Sequence, residues 1–121
     1  MHTIGVYGTL KKGGWNHTMW GMDHAKYIGS TDIVGAMDLH QFGYPRLYEI
    51  GDAPPEFERK HVLELYEVDD NTYESIKSME IGAGYYIQTF KIEDNDHDID
   101  VFLMHPENPF NEERFITSFD V

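Results

Sequence analysis

A glycine-rich segment near the start of the chain has the residue types of an anion-binding loop. The segment is Tyr7-Gly8-Thr9-Leu10, and it follows a weakly alternating run, residues 3–7, that predicts a strand. Small residues at the end of a strand let successive backbone N–H groups point at one place, where they can bind a carboxylate or an oxyanion. The glycine, lysine and hydroxyl spacing of a phosphate-binding P-loop is missing. The residues alone therefore fit either an anion site or an ordinary turn.

A longer stretch of the chain carries a family resemblance. The run from Val6 to Gly13, with Asn16-His17 after it, resembles the N-terminal signature of the gamma-glutamylcyclotransferase-like superfamily, and especially of its gamma-glutamylamine cyclotransferase branch. The resemblance extends over roughly residues 3–92. Its further landmarks are Tyr27-Ile28-Gly29, Tyr44-Pro45, the stretch 61–69, and Met79-Glu80-Ile81-Gly82, which lies where the family usually has leucine, glutamate and glycine in a row.

The resemblance implies an enzyme with a defined acid/base residue. Such proteins release an amine from a gamma-glutamyl amide when the glutamyl alpha-amine attacks its own side-chain carbonyl, which yields 5-oxoproline. By position, the family's general base is Glu80. Chemistry requires such a group, because the alpha-ammonium must lose a proton before it attacks and the departing amine must regain one. We also expect the pKa of Glu80 to be raised, because an aromatic-lined pocket disfavours the charged form of a carboxyl group.

The remaining predicted site residues belong to substrate binding. The amides of Tyr7, Gly8, Thr9 and Leu10 would hold the substrate's alpha-carboxylate or the developing oxyanion, as the resemblance implies. Tyr86 is a candidate for the pocket wall, with plain core packing as the alternative. The substrate would be a small gamma-glutamyl compound. Glutathione-type, gamma-glutamyl amino-acid and isopeptide substrates stay open, and the likeness of the loop favours a gamma-glutamylamine.

Two departures from the family pattern keep a second function open. Ile81 directly follows Glu80 where the family has glycine, and Gln88 stands where the family commonly has arginine. Both differences favour a binding protein that keeps the pocket for a small anionic metabolite or a protein partner and has lost turnover. The intact loop and Glu80 favour an enzyme.

Neither the aspartates nor the histidines indicate a metal or other cofactor. Asp94, Asp96, Asp98 and Asp100 alternate as in a calcium loop, but the central glycine is absent and His105 takes the place of the closing glutamate. The seven histidines lack the helical spacing of a zinc protease. We expect the acidic stretch to be a solvated hairpin turn and the protein to need no metal and no cofactor.

Composition and charge narrow the class of partner. The chain has 121 residues, a formal net charge of −13 and no cysteine. Such a charge repels phosphate backbones and anionic lipid surfaces, so we expect no nucleic-acid partner and no membrane partner. The absence of cysteine, of a signal-peptide pattern and of a long apolar stretch indicates a cytoplasmic protein. The length predicts a single domain over residues 1–121.

The elements that must position the site form an α+β pattern. Strands are predicted over residues 3–7, 25–28, 33–39, 46–50, 61–68, 85–92 and 99–104. A short helix is predicted from Asn16 or Thr18 to Met22, and a last short helix is capped by Asn111.

A central helix is predicted to end at about Met79, just before the candidate acid/base residue. Asp69, Asp70 and Asn71 each offer a cap, and Asn71 with Glu74 has the spacing of a capping box. The resemblance implies that these elements form a bent or barrel-like mixed sheet of about six strands with two or three short helices. The pocket would lie between the first loop and the end of the central helix.

Overall fold

The structure is a computed structural model that describes residues 1–91 and 98–119. Its strands are β1 (His2–Val6), β2 (Lys26–Leu39), β3 (Pro45–Tyr48), β4 (Glu58–Val68), β5 (Tyr85–Lys91), β6 (Asp98–Met104) and β7 (Phe115–Ile116). Its α-helices are α1 (Trp15–Met19) and α2 (Asp70–Gly82), and single turns of 3-10 helix cover Met22–His24, Pro55–Phe57 and Glu112–Arg114.

The strands form one curled, mixed sheet. Their order is β3-β2-β4-β1-β6-β5, and β7 pairs with β2. Strand β1 is antiparallel to β4 and parallel to β6, while β5 and β6 form an antiparallel pair. Among the described residues the end strands β3 and β5 do not pair, so the sheet stays open. The predicted α+β fold with a bent mixed sheet is confirmed.

Strand β1 is buried on both faces. Ile4 and Val6 belong to the core cluster on the face covered by α2, together with Tyr73 and Ile76 of that helix. On the opposite face, an added Cβ at Gly5 would lie 3.1–3.3 Å from side chains of β4 and β6. Close packing on both faces fixes the end of β1, and with it the start of the loop that follows.

Strand β2 is one long strand where the sequence predicted two. Gly29 was expected to separate strands 25–28 and 33–39, but β2 continues through it from Lys26 to Leu39. Gly29 has a φ of +135°, and the pairing register with β4 shifts between Tyr27 and Gly29. The glycine therefore forms a β-bulge, which increases the local bend without ending the strand.

Helix α2 begins earlier and ends later than predicted. The side chain of Asp69 accepts a hydrogen bond from the N–H of Thr72 at 2.7 Å, so Asp69 is the N-cap and the capping box from Asn71 is wrong. An aspartate at this position satisfies one of the free N–H groups of the first turn. The helix runs on to Gly82, which places Glu80 inside its last turn.

Most other predicted elements agree with the structure within three residues at each end. Helix α1 begins one residue before the predicted start at Asn16 and ends at Met19, before the predicted end at Met22. Gly21, with a φ of +81°, lies between α1 and the 3-10 turn that follows. Asn111 caps a single 3-10 turn by accepting from the N–H of Glu113 at 3.0 Å. The short strand β7 was not predicted. The predicted turn over residues 93–98 lies outside the described residues except for Asp98, and so do Asp94 and Asp96 of the rejected calcium pattern.

No helix in the described part of the chain has the length and apolar character needed to span a membrane.

A buried ion pair ties the end of β2 to β3 and to the C-terminal segment. Asp38 is 0% exposed, and its carboxylate accepts hydrogen bonds from Nε and Nη2 of Arg46, each at 2.7 Å. The same carboxylate accepts from the backbone N–H of Asn111 at 2.8 Å. Arg46 adjoins Pro45, so this pair also fixes the strand that follows the turn 40–44.

We expect Asp38→Ala to lower the free energy of unfolding by about 3–5 kcal/mol, because it leaves the guanidinium of Arg46 buried and unpaired. The measurement is urea unfolding near neutral pH. The control is Asp32→Ala, which removes an exposed aspartate from the same strand and should change stability by less than about 0.5 kcal/mol. Equal losses from the two variants would contradict the role of the ion pair.

Candidate active site

A cavity of about 180 Å³ lies between the loop that follows β1 and the last turn of α2. This volume corresponds to on the order of six water molecules. The wall combines one acidic side chain with aromatic rings, aliphatic side chains and the backbone of the loop. The lining residues are Gly5, Val6, Tyr7, Gly8, Thr9, Leu10, Asn16, Tyr44, Pro45, Met79, Glu80, Ala83, Tyr85 and Phe102.

The loop after β1 is held by its own backbone hydrogen bonds. The N–H of Lys11 donates to the carbonyl of Gly8 at 3.0 Å, and the N–H of Asn16 donates to the carbonyl of Thr9 at 3.0 Å. Gly14 is required for this closure, because any Cβ there would collide with the carbonyl oxygen of Thr9. The sequence therefore folds the loop back on the start of α1.

This closure leaves a set of donors at the cavity. The backbone N–H groups of Gly8, Thr9 and Leu10 donate no hydrogen bond to any acceptor within residues 1–91 and 98–119. All three residues line the cavity. Consecutive amides free of internal partners have the composition of an anion nest. Carboxylates and oxyanions are the ligands that such a nest binds.

Helix α2 brings Glu80 to the opposite side of the cavity. Glu80 follows Ile76 by four residues, so both lie on the same helix face, and Ile76 is fully buried. No described residue donates a hydrogen bond to the Glu80 carboxylate. Burial raises the pKa of Glu80 from its ordinary 4.5 to about 7. Near neutral pH this carboxyl group is therefore ready both to accept and to donate a proton.

Three tyrosines line the cavity, and two of their hydroxyl groups are already engaged. The hydroxyl of Tyr7 donates to the carbonyl of Phe102 at 2.5 Å, and that of Tyr85 donates to the carbonyl of Pro45 at 2.9 Å. Tyr44 has no hydrogen-bond partner for its hydroxyl among the described residues. Burial raises the pKa of Tyr44, the charge of Glu80 adds to this shift, and Arg46 opposes it. The hydroxyl is a neutral donor at ordinary pH.

The structure brings most of the predicted site residues together. Tyr7 to Leu10 and Glu80 all line the cavity. Tyr86 does not: its hydroxyl donates to Glu49 at 2.6 Å, outside the cavity wall. Neighbouring residues on a strand point to opposite faces, so Tyr85 takes the position expected for Tyr86. The sequence analysis also did not single out Tyr44 as a site residue, although it noted the Tyr44-Pro45 pair.

The two departures from the family pattern lie outside the cavity wall. Ile81 is 50% exposed, and Gln88 lies on β5 opposite Val101 of β6. Neither side chain displaces Glu80 from the cavity.

The described residues contain no group of three histidine, aspartate or glutamate side chains arranged to hold a metal ion.

Comparison with known proteins identifies relatives of both sequence and fold. A family model described as "Gamma-glutamyl cyclotransferase, AIG2-like" matches residues 4–119. A Pyrococcus horikoshii protein named "Putative gamma-glutamylcyclotransferase PH0828" is 38% identical over 82 residues, which is 68% of this chain and 62% of that protein. The chain therefore aligns with less than two thirds of the length of this relative.

Solved structures extend the likeness over nearly the whole chain. The crystal structure of PH0828 superposes on this chain with a TM-score of 0.69 at 27% identity. The match covers 97% of this chain and 86% of the PH0828 chain. A mouse AIG2-like protein superposes with a TM-score of 0.70 at 21% identity, covering 99% and 88%. Allophanate hydrolase from Kluyveromyces lactis has a TM-score of 0.72 at 19% identity and covers 96% of this chain but 19% of its own. The last two similarities show a shared fold.

The raised pKa of Glu80 predicts a pH dependence of stability. Between pH 4.5 and about 7 the folded protein holds a proton that the unfolded chain has lost, so the free energy of unfolding falls as pH rises and levels off above 7. The Glu80→Gln variant has no carboxyl group to titrate at this position, so its free energy of unfolding should not show this fall. Relative to the native protein, we expect the variant to gain up to about 3 kcal/mol between pH 4 and pH 8.

Urea unfolding at pH 4, 6 and 8 measures this difference. Glu74→Gln, at an exposed position of the same helix, is the matched control for the loss of one carboxylate. A difference between native protein and Glu80→Gln that stays constant from pH 4 to pH 8 would contradict the burial of an unpaired carboxyl group.

Proposed function

This chain belongs to the gamma-glutamyl cyclotransferase, AIG2-like family, and from this membership we propose that it cleaves gamma-glutamyl amides by cyclisation, with Glu80 as general acid/base. The products are 5-oxoproline and a free amine. One observation carries the proposal: an unpaired carboxyl group, whose pKa burial raises to about 7, shares a small cavity with a loop in which three backbone N–H groups make no hydrogen bond in the described part of the chain.

The loop accounts for substrate binding in an acidic protein. A net charge of −13 repels an anionic substrate at long range, and no lysine or arginine is among the cavity-lining residues. The substrate's alpha-carboxylate must therefore be held by neutral donors. The amides of Gly8, Thr9 and Leu10 supply them at short range, where fixed dipoles outweigh the field of the whole chain.

Glu80 then handles the protons of the reaction. Its carboxylate takes a proton from the alpha-ammonium, and the free amine attacks the gamma-carbonyl carbon to form the new C–N bond. As the tetrahedral intermediate collapses, the bond to the leaving nitrogen breaks and Glu80 returns a proton to that nitrogen. Glu80 then takes the second proton from the ring nitrogen and passes it to the released amine, which departs as an ammonium ion. A pKa near 7 suits a group that must act in both directions at neutral pH.

The rest of the rate enhancement comes from geometry. Nucleophile and electrophile belong to one molecule, so the cavity needs only to hold the glutamyl part in its folded, near-attack form. Most of the intramolecular advantage is already present in the free substrate, so the cavity contributes the part that comes from selecting this conformer. A cavity with rigid aromatic walls suits this task, and the chemistry uses no metal or cofactor.

For the substrate, we propose a gamma-glutamylamine, so that the leaving group is a free amine and not an amino acid or a peptide. The likeness of residues 6–17 to that branch supports the assignment. The negative charge of the chain also favours a substrate whose distal end is cationic. The cytoplasm is the proposed location, and the absence of cysteine supports it.

The alternative, a binding protein without turnover, rested on Ile81 and Gln88. Since neither residue lines the cavity, no residue of the wall favours it over the enzyme.

The central test is the release of 5-oxoproline from a panel of gamma-glutamyl amines, amino acids and peptides. We expect product from the native protein, most efficiently from a gamma-glutamylamine, and a loss of about 10²–10⁴-fold in kcat/KM for Glu80→Gln. Glu74→Gln should retain native activity. No product from the native protein at high concentration, together with a thermal shift by the same compounds that survives Glu80→Gln, would overturn the proposal in favour of the binding protein.

The pH profile of kcat/KM provides a separate test. The reaction needs the ionised form of Glu80 in the free enzyme, so activity should rise with pH through an apparent pKa of about 7 and fall about tenfold for each pH unit below it. Substrates whose own groups do not titrate between pH 5 and 8 isolate the enzyme's contribution. An acidic limb near 4.5 would mean that the group on which turnover depends does not have the raised pKa assigned to Glu80.

A further inference from the structure

The reaction needs one hydrogen-bond donor in addition to Glu80 and the loop amides. Negative charge develops on the gamma-carbonyl oxygen as the alpha-amine attacks, and a donor aimed at that oxygen stabilises the transition state. If the loop amides hold the alpha-carboxylate, the oxyanion needs a different donor. Glu80 cannot serve, because the proton that it takes from the alpha-ammonium must be returned to the leaving nitrogen.

Among the cavity-lining tyrosines, Tyr44 is the one with a free hydroxyl group. The hydroxyl groups of Tyr7 and Tyr85 donate hydrogen bonds to the backbone carbonyls of Phe102 and Pro45, respectively. The hydroxyl of Tyr44 makes no hydrogen bond in the described part of the chain, and Tyr44 lines the cavity together with Glu80. The charge of Glu80 contributes to the raised pKa of Tyr44, which places the two groups within electrostatic reach of each other.

The ring of Tyr44 is held in place from two sides. It stacks on the ring of His40 with centroids 4.2 Å apart and planes 9° from parallel, and the N–H of His40 donates to the carbonyl of Tyr44 at 2.8 Å. The next residue, Pro45, packs against the loop, because an added Cβ at Gly8 would lie 2.7 Å from its Cγ. A donor fixed in this way needs little reorganisation when charge develops near it.

We propose that the hydroxyl group of Tyr44 donates a hydrogen bond to the gamma-carbonyl oxygen of the substrate as that oxygen becomes negative. This role rests on the proposed function and extends it by one catalytic residue. The proton stays on Tyr44 throughout: the carbonyl electrons move onto the oxygen during attack and return when the leaving nitrogen departs. The same oxygen remains in the product as the lactam carbonyl of 5-oxoproline, so the contact persists in the product complex.

Tyr44→Phe tests the proposal, because it removes the hydroxyl and keeps the ring that stacks on His40. We expect kcat to fall about 10²–10³-fold with KM changed less than about threefold, since the hydrogen bond strengthens in the transition state. The acidic limb of the pH profile should stay near 7, because Glu80 is unchanged. Binding of 5-oxoproline, measured by calorimetry, should weaken about 2–12-fold for the loss of one neutral hydrogen bond.

Tyr73→Phe is the matched control. Tyr73 is also a tyrosine stacked on a histidine, with its ring 3.9 Å and 9° from that of His2, but its hydroxyl donates to Asp100 outside the cavity. This variant should keep native kcat and native affinity for 5-oxoproline.

The outcomes separate this proposal from the proposed function. A native enzyme that releases 5-oxoproline and a Tyr44→Phe variant with kcat within threefold of native would overturn the role of Tyr44 alone. A native protein that binds 5-oxoproline without producing it would overturn the enzyme, and weaker binding by Tyr44→Phe would still support the contact. Equal binding by both would overturn the contact, and a native protein that neither produces nor binds 5-oxoproline would overturn both proposals.

Discussion

The site depends on an unpaired carboxyl group that is largely, though not completely, removed from water. Removing a carboxylate from water without a donor is costly, and proteins normally avoid it by pairing or by protonation. Here Glu80 extends from the face of α2 that carries the fully buried Ile76, and the described part of the chain offers it no hydrogen-bond donor. The cost appears as a pKa raised to about 7. The fold thus gives up some stability near neutral pH to keep a group that exchanges protons there.

The rest of the fold positions the loop after β1 and the start of strand β3 near this carboxyl group. Packing on both faces of β1 fixes where the chain enters the loop, and Gly14 lets the loop close back on the carbonyl of Thr9. Asp38 and Arg46 fix β3, so that Pro45 reaches the loop at Gly8. Cavity, loop and tyrosines are therefore parts of one packed unit, in which a shift of β3 would move the wall of the site.

Local patterns were enough to predict most of the strands and the loop after β1, because alternation, glycines and short motifs are read residue by residue. The bent mixed sheet and the role of Glu80 were expected from the family resemblance. Local patterns failed where long-range geometry decides. Gly29 is consistent with either a break or a bulge, and only pairing with β4 selects the bulge. The choice between Tyr85 and Tyr86 depends on the register of β5 with β6, in which Tyr85 faces Met104. Tyr44 reaches the cavity through the packing of Pro45 on Gly8, which no sequence spacing encodes.

The most direct test of the central claim is a measurement of the Glu80 pKa itself. Titration of its side-chain carboxyl carbon by ¹³C NMR, assigned by comparison with Glu80→Gln, reports the protonation of this one group in the folded protein. The account predicts a midpoint of about 7. A midpoint near 4.5, the ordinary value for a glutamate, would show that the carboxylate is solvated and would remove the basis for its role as acid and base.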